Sequence, residues 1–239
     1  MKKGKFIIID GIDGSGKGTV VDAYELYFRK KKKKILDLKV YWKRNHILPE
    51  PRDLKPYDVI ISCEPTFSLV GLAIRDEIVR HNERTYSAAA TAQAFALDRF
   101  ILYKRIIVPA LNAGKIVIQE RGMTTSMIYQ PIQKEPLPLK KILQLEGNQL
   151  ALKYAPLALI ITLLDPKEAI KRLKNRKKKQ DFAIFEKVLF LKKAQLRFKA
   201  EWFKVMFKRR GTKVIYLETG GTKQQTRNKA LAILSDLKI

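Results

Sequence analysis

The stretch GIDGSGKGT, residues 11–19, sets Gly11, Gly14, Gly16 and Gly18 around Ser15 and Lys17 and ends on Thr19. It follows the apolar run FIII and precedes a helical pattern. Glycine weakens both helix and strand, so four of them together need a reason. The spacing G-x-x-x-x-G-K supplies one. Side-chain-free residues let consecutive backbone N–H groups curl round an anion, the next helix adds its positive end, and Lys17 adds a full charge for β and γ phosphates. The chemistry expected is binding of a nucleoside triphosphate. Gly18 stands where a serine or threonine usually follows the lysine, so Thr19 is the first hydroxyl the loop can offer a metal.

Three further stretches could carry chemistry. In TAQAFALDRF, Phe95 and Arg99 are four apart and share a helix face, with Ala88 and Ala92 on the turns before. Small residues there leave space for a flat ring that Phe95 could stack on and Arg99 could hydrogen-bond. The alternative, which the pattern alone favours, makes Phe95 a core residue and pairs Arg99 with Asp98 or another acid. In KIVIQERGMTTSMIYQ, Glu120 and Arg121 end an inner strand, where ligands of open α/β sheets bind. An acid there can hold magnesium or accept a proton, and an arginine can fork onto phosphate; a rim ion pair is the plainer reading. On a short helix after them, Ser126 and Tyr129 face the same way. In CEPTFSLVGLAIRDE, Glu64–Pro65 ends another strand and Arg75 follows on a helix, a weak signal by itself.

The elements that must position these residues alternate. Apolar, β-branched runs at 6–10, 59–62, 115–119, 159–164 and 214–217 read as buried strands. Helical patterns at 19–33, 68–80, 87–112, 166–176 and 185–209 separate them. This predicts an α/β fold with a five-stranded parallel sheet flanked by helices. Residues 37–58 hold three prolines and mixed polarity and read as an irregular insertion in one domain spanning 1–239.

Composition narrows the classes. One cysteine, Cys63, permits no internal disulfide, and two histidines leave little for zinc. The first apolar run is too short for a signal peptide and the longest is far below a membrane span, so a soluble cytoplasmic protein is expected. The net charge of +26 fits a polyanion partner, nucleotide or nucleic acid, or a general lysine bias, since lysines scatter along the chain. Dense runs occur at 29–34 and 176–179.

Taken together, GIDGSGKGT, EPT with its later IR, FALDR, ER followed by TS and YQ, and LLDP with its later arginines resemble the thymidylate kinase family, from about residue 5 to 218. The resemblance implies the P-loop NTPase fold and transfer of the γ-phosphoryl of ATP, with magnesium, to dTMP. It implies ATP contacts from Gly11, Gly14, Ser15, Gly16, Lys17, Gly18 and Thr19, with Thr19 and Glu120 near the metal. Phe95 would stack on thymine, Arg99 and Ser126 would address its polar edge, and Tyr129 and Asp13 would lie along the sugar. Arg75 and Arg121 would grip the acceptor phosphate. A lid at about 171–185 would close over ATP, with Arg172 or Arg176 completing a catalytic set of Lys17, Glu120 and Arg121. Relatives of this kind pair as homodimers through helices, and the basic surface allows nonspecific nucleic-acid association. Cys63, where many relatives carry arginine, and Gly122, in place of a tyrosine, depart from the pattern and leave the acceptor more open than the transfer. Another (deoxy)nucleotide or deoxynucleoside is the nearest alternative, and a P-loop nucleic-acid-binding protein or polynucleotide kinase is an alternative of another class.

Overall fold

The computed structural model describes residues 4–80, 82–175 and 188–239. The chain begins with β1 (Lys5–Gly11), α1 (Lys17–Lys30), β2 (Ile35–Asp37), α2 (Leu38–Asn45) and β3 (Val59–Cys63). Next come α3 (Leu69–Ala73), whose helix runs on as a wider π turn over Ile74–Val79, and α4 (Ala88–Leu102), which a second π turn over Tyr103–Ile107 joins to α5 (Val108–Asn112). After β4 (Ile116–Glu120) lie α6 (Met123–Tyr129), α7 (Leu139–Gln144), α8 (Glu146–Lys153) and β5 (Ala158–Leu163). The last elements are α9 (Pro166–Lys174), α10 (Val188–Lys199), α11 (Glu201–Lys208), β6 (Lys213–Glu218) and α12 (Lys223–Asp236).

All strand pairs are parallel, in the order β2-β3-β4-β1-β5-β6. Alternation along β1 explains the two layers. Ile7 and Ile9 join Val20, Tyr24 and Phe28 of α1 and Ala230 and Leu234 of α12 on one face. Phe6 and Ile8 join Leu102, Ile106, Met127 and Phe203 on the other. Both faces are buried, which is why the strands read as continuous apolar runs. β1 lies between β4 and β5. The chain leaves it for β2 at one edge and later crosses past it from β4 to β5. At such a reversal open α/β sheets bind ligands in a crevice beyond the carboxyl ends of the strands.

Two expectations need correction. Among the described residues the sheet has six strands, because the three-residue β2 pairs with β3 through Ile35↔Val59 to Asp37↔Ile61. Three residues behind a lysine run are too few to show a period. The segment 37–58 is also not irregular throughout. Asp37 caps α2 by accepting the Lys39 N–H at 2.8 Å, and Leu38, Trp42, Leu48 and Leu54 are buried in the main core. The helix at 185–209 divides at Ala200, and residues 185–187, with most of the expected lid including Arg176, lie outside the described residues. The carboxyl-terminal helix α12, which the sequence reading passed over, starts with a capping box between Thr222 and Gln225.

Candidate functional site

The loop from β1 to α1 wraps on its own lysine. Lys17 Nζ donates to the carbonyls of Gly11 at 3.0 Å and Ile12 at 2.8 Å, filling the space its N–H groups enclose. Burial, and then the neighbouring Arg121 charge, lower the Lys17 pKa to about 8. Gly14 sits at φ +78°, and a Cβ there would collide with the Ala169 carbonyl of α9. Only glycine permits that approach. Ser15 is buried, its hydroxyl 2.7 Å from the Ile12 carbonyl and 2.6 Å from Thr162 Oγ1. Thr19 is partly exposed on the first turn of α1, and nothing lies within 4 Å of where a Gly18 side chain would start.

Across the crevice, β4 delivers Glu120 and Arg121. Arg121 adopts φ 66°, a left-handed conformation that is uncommon for a side-chain-bearing residue and often marks a functional bend. Its guanidinium is thereby held between both sides of the site. It pairs with Asp13 of the loop, lies 3.7 Å from Asp10, and sits 6.0 Å from the Tyr129 ring. Asp10 is wholly buried and receives the hydroxyls of Thr124 and Thr125 and the Gly11 N–H. Glu120 faces Lys39 of α2, Nζ to Oε2 2.5 Å. Burial alone would raise the Glu120 pKa, but Lys39, Lys17 and then Arg121 hold it at about 2. Glu120 is therefore in an ion pair, as the plainer reading had it, and it faces the crevice.

The third group is a side-chain network. Arg99 is fully buried and binds Glu64 at 2.6 Å, Asn148 Oδ1, and more loosely Ser126 Oγ at 3.4 Å. Gln119 donates to the other Glu64 oxygen at 2.9 Å. Burial raises the Glu64 pKa to about 7, outweighing the Arg99 pair. Asp98 turns away and takes the Thr66 N–H and hydroxyl, at 2.8 and 2.7 Å. The two readings of FALDR thus divide: Arg99 pairs with another acid, while Phe95 is only partly buried and is not a core residue. Arg75 donates to the carbonyls of Pro65 and Thr66 and stacks 3.5 Å from the Phe67 ring centroid. Among the described residues it also lies 3.8 Å from the Cys63 sulfur. Ser126 and Tyr129 are both buried on α6, and Tyr129 meets the Phe190 ring edge-on at 5.2 Å.

Two candidates lie elsewhere or beyond view. Arg172 of α9 points to the Thr219 carbonyl at 3.0 Å and to Glu168 at 3.4 Å, so it braces the loop after β6. Thr219 in turn donates to the Ser15 carbonyl at 2.8 Å, which ties Arg172 to the phosphate loop by one intermediate. Arg176 is outside the described residues. Sequence reasoning passed over Asp10, Lys39, Gln119 and Asn148. Asp10 ends the β1 run and could have been noticed as an acid in an apolar strand; the other three carry no local signal.

Comparison with known proteins gives a consistent result. The family model described as thymidylate kinase matches residues 52–220. A probable thymidylate kinase of Pyrococcus abyssi is 30% identical over 212 residues, 85% of this chain and 86% of that protein. One of Pyrococcus horikoshii is 32% identical over 181 residues, 73% of this chain and 72% of its own. A thymidylate kinase of Caldicellulosiruptor saccharolyticus is 29% identical over 239 residues, 98% of each chain.

Proposed function

This chain belongs to the thymidylate kinase family, and we propose that it transfers the γ-phosphoryl of ATP to dTMP, giving dTDP and ADP. Its parallel sheet flanked by helices is the P-loop NTPase fold of that family, with six strands. Phosphoryl transfer asks for alignment and charge neutralisation more than for covalent chemistry. The observation that carries the reading is Arg121, which touches Asp13 of the phosphate loop on one side and lies over Tyr129 of α6 on the other. A guanidinium so placed meets both the donor's last phosphate and the acceptor's only one.

In this reading the N–H groups of residues 11–19 bind the ATP phosphates and Lys17 leaves the Gly11 and Ile12 carbonyls to follow the γ-phosphoryl. Arg75 and Arg121 hold the acceptor phosphate. Phe95 stacks on thymine, and Arg99, fixed by Glu64 and Asn148, presents its remaining face with Ser126 to the base. Tyr129 packs at the sugar, and Asp13 orients Arg121 beside it. Glu120, ionised throughout the physiological range, and the Thr19 hydroxyl are the residues that would hold magnesium. The donor set is sparse: among the described residues no group of three or more His, Cys, Asp or Glu side chains could hold an ion. That suits magnesium, which keeps its waters and binds through one or two carboxylates plus substrate phosphates. When bound, it neutralises the donor oxygens. No helix among the described residues is long and apolar enough to cross a membrane.

The test is a coupled assay of ADP release with a panel of nucleoside monophosphates. dTMP is expected to give the highest kcat/KM. A higher value with another monophosphate would move the reading to that acceptor, and no transfer to any would remove it.

A further inference from the structure

We propose that Lys39 is a third cationic grip on the acceptor's phosphate, brought to the strand ends by the segment 37–58; this rests on the dTMP reading above. Residue 39 lies before the matched part of the family model, in a stretch whose sequence suggested no role. The structure gives that stretch a job. Leu38 and Trp42 bury fully and anchor α2, the Trp42 ring lying 6.3 Å from Phe67, and the Asp37 carboxylate fixes the first turn through the Lys39 N–H. The base of the lysine is therefore set by packing, and its ammonium is held on Glu120.

Cationic side chains converge on that point. Lys17, Lys39, Arg75 and Arg121 all lie within electrostatic reach of Glu120. Of the other acids nearby, Arg121 engages Asp10 and Asp13, Thr66 engages Asp98, and the Asp37 carboxylate caps α2. A dianionic phosphate entering there would meet the Lys39 ammonium beside two guanidiniums.

Position decides which phosphate. Glu120 is the register partner of Cys63 across β3 and β4. Arg75 reaches that pair from α3's extension, 3.8 Å from the Cys63 sulfur, and Lys39 reaches it from α2, within electrostatic range of the same thiol. Arg121 follows Glu120 directly. In the strand order, β3 lies beyond β4 from the phosphate loop on β1, so Lys39 approaches from the acceptor's side. Arg75, Arg121 and Lys39 then enclose one small volume at the β3–β4 end, with Glu120 as the counterion Lys39 leaves when phosphate arrives.

The experiment is calorimetric titration of dTMP and of thymidine, with chelator and without ATP, into the wild type, Lys39→Met and Glu120→Gln. Lys39→Met keeps the stem and the backbone N–H that Asp37 caps; Lys39→Gln is the second variant should Met fold poorly. Loss of a charge-assisted contact should weaken dTMP about tenfold or more while thymidine, which has no phosphate, changes less than about twofold. Glu120→Gln should bind dTMP at least as well as the wild type, because it releases Lys39. Unchanged dTMP affinity in the lysine variants, or a matching loss in Glu120→Gln, overturns the proposal and leaves Lys39 as a prop for Glu120. A wild type that binds neither ligand overturns the acceptor reading itself, a failure distinct from one confined to Lys39.

Discussion

The proposed donor side and the proposed acceptor side of the site are built by opposite means. Residues 11–19 form a continuous piece of backbone whose shape depends on glycine, with Gly14 pressed against the Ala169 carbonyl. The proposed acceptor side is assembled from side chains at the end of β3 and on α4, α6 and α8, meeting at Arg99, Glu64, Ser126 and Asn148. A backbone cradle suits phosphate, which every nucleoside triphosphate shares. A side-chain network suits a base, where discrimination needs groups of fixed direction. The first is robust to most neighbours; the second stands or falls with each buried partner.

That contrast can be broken at its most vulnerable point. Arg99→Met leaves the Glu64 carboxylate buried without its cation, and removing one partner of a buried pair costs about 3–5 kcal/mol. The cost depends on pH. With its pKa near 7, above the usual 4.5, folded Glu64 keeps a proton that the unfolded chain has already released, so stability from this group falls as pH rises from about 4.5 through 7. Without Arg99 the fall continues to higher pH, because the buried carboxyl has lost the cation that favours its charged form. Denaturant melts should therefore show the full loss at pH 8 and a much smaller one at pH 5. An equal loss at both would mean that Glu64 is not the residue left exposed to the change.

Lys17→Ala attacks the other side. The fold should persist, since the lysine's own contacts are two carbonyls that water or neighbours can serve, while kcat falls roughly 10²- to 10³-fold, the effect of removing one preorganised charge from a transition state. Steady-state rates beside a thermal melt separate the two.

How much of this was legible follows from the same difference. The loop could be read because its backbone geometry forces glycine and lysine into fixed positions, and the strands because burial on both faces forces apolar runs. Phe95 and Arg99 could be seen as a pair on one helix face, but neither Glu64, 35 residues earlier, nor Asn148, 49 later, could be joined to Arg99 by spacing. Glu64 was noticed only as the end of a strand. Lys39 was hidden further, in a segment of prolines and mixed polarity whose helix is held by Leu38, Trp42 and an aspartate cap. Local chemistry is readable; convergence of distant side chains is set by packing.

A smaller effect sharpens the donor side. Burial, and then the Arg121 charge, lower the Lys17 pKa to about 8, and phosphates favour the charged form. A lowered lysine pKa means that the charged fraction falls as pH rises through 8, so ATP affinity at pH 9 should be roughly tenfold weaker than at pH 7, with proton uptake on binding. Calorimetry in buffers of different ionisation heat measures both. ATP affinity flat from pH 7 to 9 would place the Lys17 pKa well above that range.

The central claim is that two separable sites face each other across Arg121, one for the phosphates of ATP and one for the base of dTMP. It is tested most directly by titrating each nucleotide separately into Phe95→Ala and Lys17→Ala. Phe95→Ala should weaken dTMP by about 1–3 kcal/mol, the usual value of a base stacked on an aromatic ring, and leave ATP unchanged. Lys17→Ala should weaken ATP and leave dTMP unchanged. If Phe95→Ala instead weakens both nucleotides alike, or neither, the base does not sit on Phe95 and the account of the acceptor side is wrong.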